Sequence, residues 1–143
     1  MSDVKDIHVL VFVHDEHFRR KVMSFLSLEN IHAYECKNEE EVMQLIESEN
    51  KIDVAVIDIL PDENTGLRCV EYFKSNRKKA EVIMLNSHDQ IALSIQGMRL
   101  GAFDDIMFPF EMKTLKEKIL KAYDYGKERQ RQVAFQDTKP SNP

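Results

Sequence analysis

The sequence has few of the residues that build a cross-linked or metal-held scaffold. It contains only two cysteines, Cys36 and Cys69, and they are widely separated. A disulfide framework is therefore not expected, and a zinc site would lack soft ligands. No apolar run approaches the length of a membrane span. Residues 1–6 show no signal-peptide pattern, so a reducing cytoplasm is the expected location.

Neither sign of charge dominates, and no nucleotide-binding motif is present. The chain has 20 basic and 25 acidic residues, a formal net charge of −5, and they are mostly interspersed. Nucleic-acid binding is therefore not expected, since it usually requires a basic face. The absence of a glycine-rich phosphate loop, a Walker lysine and a nucleophile elbow argues against a small flavodoxin-like enzyme. At 143 residues, the chain fits one domain.

The hydrophobic pattern alternates between strands and helices. Apolar runs predict strands at 7–13, 31–36, 53–57, 81–85 and 105–108. Helical spacing predicts five helices. The first covers 16–29, the second begins after an Asn38 cap with Glu41 at N3, and the third follows a polar loop at 62–66. The fourth runs from a Ser87/Gln90 capping pattern to Gly101, and the fifth from Met112 to about Ala122.

Five alternating pairs predict an α/β fold, a doubly wound five-stranded parallel sheet with helices on both faces. The flavodoxin-like order 2-1-3-4-5 is expected by analogy with known doubly wound proteins rather than from periodicity. We assign residues 1–126 to this domain. Residues 127–143 are expected to be a polar tail or the start of a linker, with disorder from Asp137 to Pro143.

Acidic residues follow the first and third predicted strands, where such sheets bind ligands. His14, Asp15 and Glu16 come after strand one, and Asp58 ends strand three. Carboxylates that converge in a crevice favour a hard cation such as Mg²⁺ between them. The alternative is that Asp15 only caps a helix and Asp58 only starts a turn, and for either residue alone this is the more common situation.

Several segments resemble one family in the same order. The stretch 9–16, the stretch 52–58 ending in Asp58, Gly66, Gly101-Ala102, and Phe108-Pro109-Phe110 are similar to the receiver domain (CheY-like) of two-component response regulators. Each segment alone is weak evidence, but the ordered set is specific. The resemblance covers residues 7 to about 125.

The resemblance implies a phosphorylation site rather than an enzyme active site. Asp58 would be the phosphoacceptor, and Mg²⁺ would be bound by Asp15, Asp58 and the carbonyl of Leu60. The domain would catalyse only its own phosphorylation and dephosphorylation. Its donor would be a histidine kinase or a phosphotransfer protein. The Phe108–Pro109 peptide bond would be cis, as in the family.

Four positions depart from the family pattern. His14 stands in place of an acid, Asn86 in place of Ser or Thr, Phe108 in place of a lysine, and Asp105 in place of the switch aromatic. Phe108 cannot donate a charge-assisted hydrogen bond to a phosphoryl group. Asn86 keeps an amide donor, and the neighbouring Ser87 offers a hydroxyl. We expect metal binding to survive and phosphorylation-driven switching to be weak or lost.

Two loop histidines near these acids have alternative interpretations. His14 would be a pH-sensitive cation beside the carboxylates, or simply a strand-end residue with a backbone contact, which is the more common case. His88 lies close to Ser87, but two histidines and two acids from loops do not form a zinc signature.

The sequence leaves two signalling hypotheses open. One is a phosphorylation-dependent receiver, and the other is a pseudo-receiver that binds partners whatever its phosphorylation state. In the family, a downstream partner or a second copy commonly docks on the face made by helix four, strand five and helix five. Here that face would be a surface of mixed charge that includes Arg99, Asp104, Asp105, Lys113 and Tyr123.

Overall fold

The computed structural model describes residues 5–60 and 62–138. Its centre is one parallel five-stranded sheet in the order β2-β1-β3-β4-β5, as expected. The strands are β1 His8–Phe12, β2 His32–Cys36, β3 Val54–Asp58, β4 Glu81–Ser87 and β5 Asp104–Phe108. β3 is buried along its whole length, which explains its unbroken apolar sequence.

Helices cover both faces of the sheet. They are α1 Glu16–Leu28, α2 Glu39–Glu47, α3 Glu63–Asn76, α4 Ile91–Arg99 and α5 Met112–Thr138. One buried core packs α2, α3 and α4 on one face, and the other packs α1 and α5 on the opposite face. None of the described helices is long and apolar enough to cross a bilayer.

Two predicted helix starts are wrong. Residues 62–66 are not a loop, because the Asp62 side chain caps α3 and the helix begins at Glu63. Ser87 does not cap α4, because it is the last residue of β4, and Gln90 occupies the cap position without a side-chain hydrogen bond. The Asn38 cap of α2 is confirmed, with its Oδ1 accepting from the Glu41 N–H at 2.9 Å.

The last helix is much longer than its apolar spacing predicts. α5 continues to Thr138, through most of the segment expected to be a polar tail. Lys127 and Arg129 hold it against the sheet, through ion pairs with the buried carboxylates of Asp53 and Glu81. The expected disorder of 137–143 lies outside the described residues from 139 onward.

Candidate functional site

The carboxyl ends of β1 and β3 place Asp58 at the base of a crevice. Its side chain is only 8% exposed. Asp58 Oδ1 accepts a hydrogen bond from the Leu60 N–H at 3.0 Å, and Oδ2 accepts a long one from the His14 N–H at 3.4 Å. Two loops that follow different strands therefore hold one carboxylate.

The pKa of Asp58 is raised above its usual value of 3.8. Burial is the largest cause, and the negative charge of Asp15 raises it further. The backbone hydrogen bonds from Leu60 and His14 oppose this rise. Asp58 is therefore a more basic carboxylate than a solvated aspartate, and the ionised form lacks full compensation for its lost hydration.

Asp15 lies at the start of α1 and caps it. Its Oδ2 accepts the Phe18 N–H at 2.7 Å, as the helix-cap alternative requires. Oδ1 accepts no hydrogen bond from the residues that the structure describes. One oxygen of an exposed carboxylate near Asp58 is thus available to a cation, so capping and metal binding are compatible. The His14 side chain is exposed, and its backbone N–H makes the contact with Asp58.

A buried arginine that the sequence pattern does not reveal shapes the loop after β1. Arg19 is 4% exposed and donates to the carbonyl oxygens of Val13 and His14 at 2.9 and 3.3 Å. Its Nε pairs with Glu35 of β2 at 2.6 Å. Arg19 therefore fixes the backbone that carries His14 and Asp15. Nothing in the sequence pattern signals this role, because the position looks like an ordinary charged residue of α1.

A cleft of about 400 Å³ opens above Asp58. It lies between the ends of β1 and β3 and the starts of α2 and α3, and Lys37 supplies a cation to its wall. Gly66 in the first turns of α3 also lines it. A Cβ there would lie 2.6 Å from the Cα of Ile59, so the glycine allows α3 to approach the end of β3.

Asn86 and Ser87 lie at the end of β4 but direct their hydrogen bonds elsewhere. The Asn86 amide donates to the Gln90 carbonyl at 2.7 Å and to Ser94 Oγ at 2.8 Å. Its Oδ1 is buried with no partner among the described residues. The Ser87 hydroxyl donates to the Asp89 carboxylate. Both groups are therefore engaged by α4 or the turn before it.

Phe108 packs into an aromatic group instead of facing a polar ligand. Its ring centroid lies 5.1 Å from that of Phe18 and 5.0 Å from that of Phe110. The Phe108–Pro109 peptide bond is cis, as the resemblance implies. Asp105 is half-buried on β5, and its N–H donates to the Asp104 carboxylate at 2.8 Å.

The fold places this chain among flavodoxin-like α/β proteins, with an acid at the end of β3. The family model for the response regulator receiver domain matches residues 9–120. The chain therefore belongs to the response regulator receiver family. It is a signalling domain of two-component systems rather than a classical enzyme.

Similar proteins include two curated regulators and one solved receiver domain. The heme response regulator HssR of Staphylococcus aureus is 30% identical over 109 residues, which cover 76% of this chain and 48% of that protein. The regulatory protein AtoC of Escherichia coli is 22% identical over 107 residues, 75% of this chain and 23% of that protein. The chain thus spans less than half the length of either regulator.

A CheY-like receiver domain protein from Methanospirillum hungatei has the same fold. Its crystal structure matches with a TM-score of 0.80 at 21% identity, covering 87% of this chain and 99% of that one. At this level of identity, the likeness concerns the fold alone.

Proposed function

We propose that Asp58 is the phosphoacceptor of a receiver domain that takes its phosphoryl group from a histidine kinase or a phosphotransfer protein. The observation that carries this proposal is the position of Asp58, buried at the end of β3 below an open cleft. A phosphodonor would reach it through the cleft, while the backbone N–H groups of Leu60 and His14 hold the carboxylate in place.

The residues around Asp58 fit a magnesium ion. Mg²⁺ prefers a few carboxylate and carbonyl oxygens and keeps several waters. Asp58 and the open Oδ1 of Asp15 would supply the carboxylates, and the carbonyl of Leu60 would supply the third protein oxygen. Burial and the negative charge of Asp15 raise the pKa of Asp58. A bound cation would balance the negative charge of these two carboxylates. When bound, the ion would neutralise oxygens of the transferring phosphoryl group.

The chemistry is a phosphoryl transfer between two nucleophiles. A carboxylate oxygen of Asp58 attacks the phosphorus of a phosphohistidine, an O–P bond forms, and the N–P bond breaks. The imidazole leaves with the electron pair of that bond and takes up a proton. Burial makes the Asp58 carboxylate more basic and hence a better nucleophile, and the Leu60 N–H orients it. The product is an acyl phosphate in the cleft.

A second function is favoured by the residues at the ends of β4 and β5. The Asn86 amide is occupied by Gln90 and Ser94, and Phe108 packs among other aromatic rings. Neither is placed to grip a phosphoryl oxygen, as a hydroxyl and a lysine would. We propose as the alternative a pseudo-receiver, in which the domain binds its partner independently of phosphorylation. Under either function, we propose that the protein is located in the cytoplasm.

The proposed output surface is the face formed by α4, β5 and α5, where a downstream protein or a second copy would dock. Three apolar side chains of α4 project from the surface: Ile91 is 59% exposed, Ile95 49% and Met98 45%. Together with the charges of Arg99, Asp104 and Lys113, they offer a mixed surface suited to protein contact.

The direct test is phosphorylation by a small donor. The protein is incubated with Mg²⁺ and acetyl phosphate, and its intact mass is measured beside that of Asp58→Asn. One phosphoryl adduct is expected on the wild type and none on the variant. Asp15→Asn should still fold and should need more Mg²⁺ for the same yield.

The matched control is Asp62→Asn, which changes an exposed carboxylate of the same cleft. It should take up the phosphoryl group like the wild type. An adduct that persists in Asp58→Asn would remove Asp58 as the acceptor. A folded wild type that takes no phosphoryl group from acetyl phosphate or from a panel of phosphorylated histidine kinases would favour the pseudo-receiver.

A further inference from the structure

A second group of metal-ligating side chains lies at the opposite end of the sheet from Asp58. His8 begins β1 and His32 begins β2, and the two residues are paired directly in the parallel register. Their rings stack with centroids 4.3 Å apart. Asp58 lies level with the residue after Phe12, which is five residues along the chain from His8. The two sites are therefore separated by about 16 Å along the strands.

The three potential ligand atoms converge. Asp6 Oδ1 lies 3.2 Å from His8 Nε2 and 3.0 Å from His32 Nε2. All three atoms lie within 4.8 Å of one another. Zinc ligands about 2.0 Å from a tetrahedral ion are spaced about 3.3 Å apart, so two of the three spacings already approach those of a bound site. His32 and Asp6 are more than half exposed, which leaves their side chains free to adjust and the site open to solvent.

A further contact orients one of the histidines. His8 Nδ1 lies 2.7 Å from the Tyr34 hydroxyl, and the His8 side chain is only 15% exposed. A ring whose Nδ1–H donates to a fixed oxygen presents its Nε2 lone pair outward, which is the usual arrangement of a metal-bound histidine. Tyr34 thus acts on His8 as a positioning residue, and Nε2 faces Asp6.

Lys51 places a positive charge on the other side of Asp6. Its Nζ contacts the Asp6 backbone carbonyl at 3.0 Å and Oδ2 at 3.4 Å, while Oδ1 faces the two imidazoles. Asp53, 3.9 Å from the same ammonium, offsets its charge.

We propose that Asp6, His8 and His32 form a binding site for a borderline divalent metal ion of the zinc class. Two imidazoles and a carboxylate suit Zn²⁺, with water in the fourth position. A bound ion would tie the segment before β1 to the exposed edge strand β2. The scarcity of cysteine, from which no zinc site was expected, does not bear on this group, because its ligands are imidazoles and a carboxylate. The proposal is independent of the phosphoacceptor role of Asp58.

The test is a zinc titration of the untagged 143-residue chain by isothermal calorimetry, with Mg²⁺ in millimolar excess to occupy any hard-cation site. One Zn²⁺ per chain is expected. His8→Gln and His32→Gln should each weaken binding at least about tenfold, and Tyr34→Phe about tenfold, because it removes only the orienting contact. His17→Gln, an exposed histidine of α1 outside the group, is the matched control and should bind like the wild type.

Circular dichroism of each metal-free variant checks that it is folded, and the exposed His32 keeps the test usable if His8→Gln is unstable. Co²⁺ substitution adds a spectroscopic readout, because a four-coordinate site gives intense visible bands that both histidine variants should lose. Absence of one-to-one zinc binding, or wild-type affinity in a folded His32→Gln, would show that the cluster is only a hydrogen-bonded ion pair and would overturn the proposal.

Discussion

Single residues decide how closely the elements around Asp58 approach one another. Gly66 is a clear case, because an added Cβ would meet the Ile59 backbone at 2.6 Å and its side chain at 2.9 Å. The sequence pattern predicts that this glycine ends a polar loop. In the structure it is helical, and its function is to leave space.

We predict that Gly66→Ala destabilises the protein by about 1–3 kcal/mol, because overpacking against a backbone atom outweighs the gain of about 1 kcal/mol in helix propensity. Urea denaturation measures the change. Asn64→Ala, at an exposed position of the same helix, is the control and should stay close to the wild type. Unchanged or increased stability of Gly66→Ala would mean that α3 can move away from β3 at little cost.

Asp58 gives a pH-dependent prediction. Its pKa is raised in the folded state, so the folded protein holds this proton more tightly than the unfolded chain. The resulting stabilisation is complete below the usual pKa of 3.8 and is lost as the pH rises through the folded value. Asp58→Asn removes this loss, because an amide does not ionise.

The melting temperature of Asp58→Asn relative to the wild type should therefore increase from pH 4 to pH 7. Comparing the difference at two pH values cancels the constant effect of replacing one oxygen by an amide nitrogen. The exposed Asp62→Asn serves as the reference and should not show the same trend, because the pKa of Asp62 is lowered by its hydrogen bonds to Thr65. A difference that shrinks with rising pH would contradict burial as the dominant influence on Asp58.

At the scale of elements, the extension of α5 is part of the domain rather than an appended tail. Gly126 is buried, and a Cβ there would lie 3.2 Å from the Lys79 carbonyl, so the helix passes close to the entry of β4. Beyond it, Arg129 reaches Glu81, whose carboxylate is buried and also faces Lys74 at 3.5 Å. The proposed boundary at 126 therefore falls inside a helix whose next turn still contacts the sheet.

We predict that Arg129→Ala costs about 1–2 kcal/mol of unfolding free energy. Removing one partner of a buried pair leaves an uncompensated charge, but Arg129 is 41% exposed and Lys74 stays near Glu81, so the cost is below that of a fully buried pair. Arg131→Ala, which removes an exposed pair with Glu128, should have little effect. An effect of Arg129→Ala as small as that of Arg131→Ala would show that the Arg129–Glu81 pair contributes no stability.

The sequence predicts the elements whose signal is local and misses those that depend on distant partners. The strands and the Asn38 cap follow from apolar runs and from residues three positions apart. The length of α5 does not, because Lys127 and Arg129 stabilise it through carboxylates just before β3 and at the start of β4, which are far away in sequence. Arg19 bonded to Glu35, and His8 paired with His32, likewise require the register of the sheet.

The same division applies to the candidate site. The acids after strands one and three were predicted because parallel strands end at one edge, and Asp58 does lie there. The use of Asn86 was not predictable, because its amide keeps a donor suited to a phosphoryl oxygen. In the fold, that donor is taken by the Gln90 carbonyl and by Ser94 Oγ. Residue type sets what a side chain can bind, and only packing sets what it does bind.

For the whole molecule, the question is whether a change at Asp58 reaches the face formed by α4, β5 and α5. Such a change needs a group that contacts the phosphoryl oxygens and moves with them. Asn86 is held by one hydrogen bond to the Gln90 carbonyl and one to Ser94 of α4, and Phe108 packs against Phe18 and Phe110. A ligand can shift an equilibrium only by its differential contacts with the two states. Here those contacts are few.

We therefore predict that phosphorylation alters the surroundings of Asp58 but leaves the output face almost unchanged. With the adduct confirmed by intact mass, amide chemical shifts should change at Leu60 and Gly66 and stay small at Arg99, Asp105 and Tyr123. Asn86→Thr with Phe108→Lys restores a hydroxyl and a cation, and it should spread the shifts to those three positions. Large shifts there in the phosphorylated wild type would mean that the backbone of β4 and β5 transmits the signal without these side chains, and the domain would then be a phosphorylation-dependent switch.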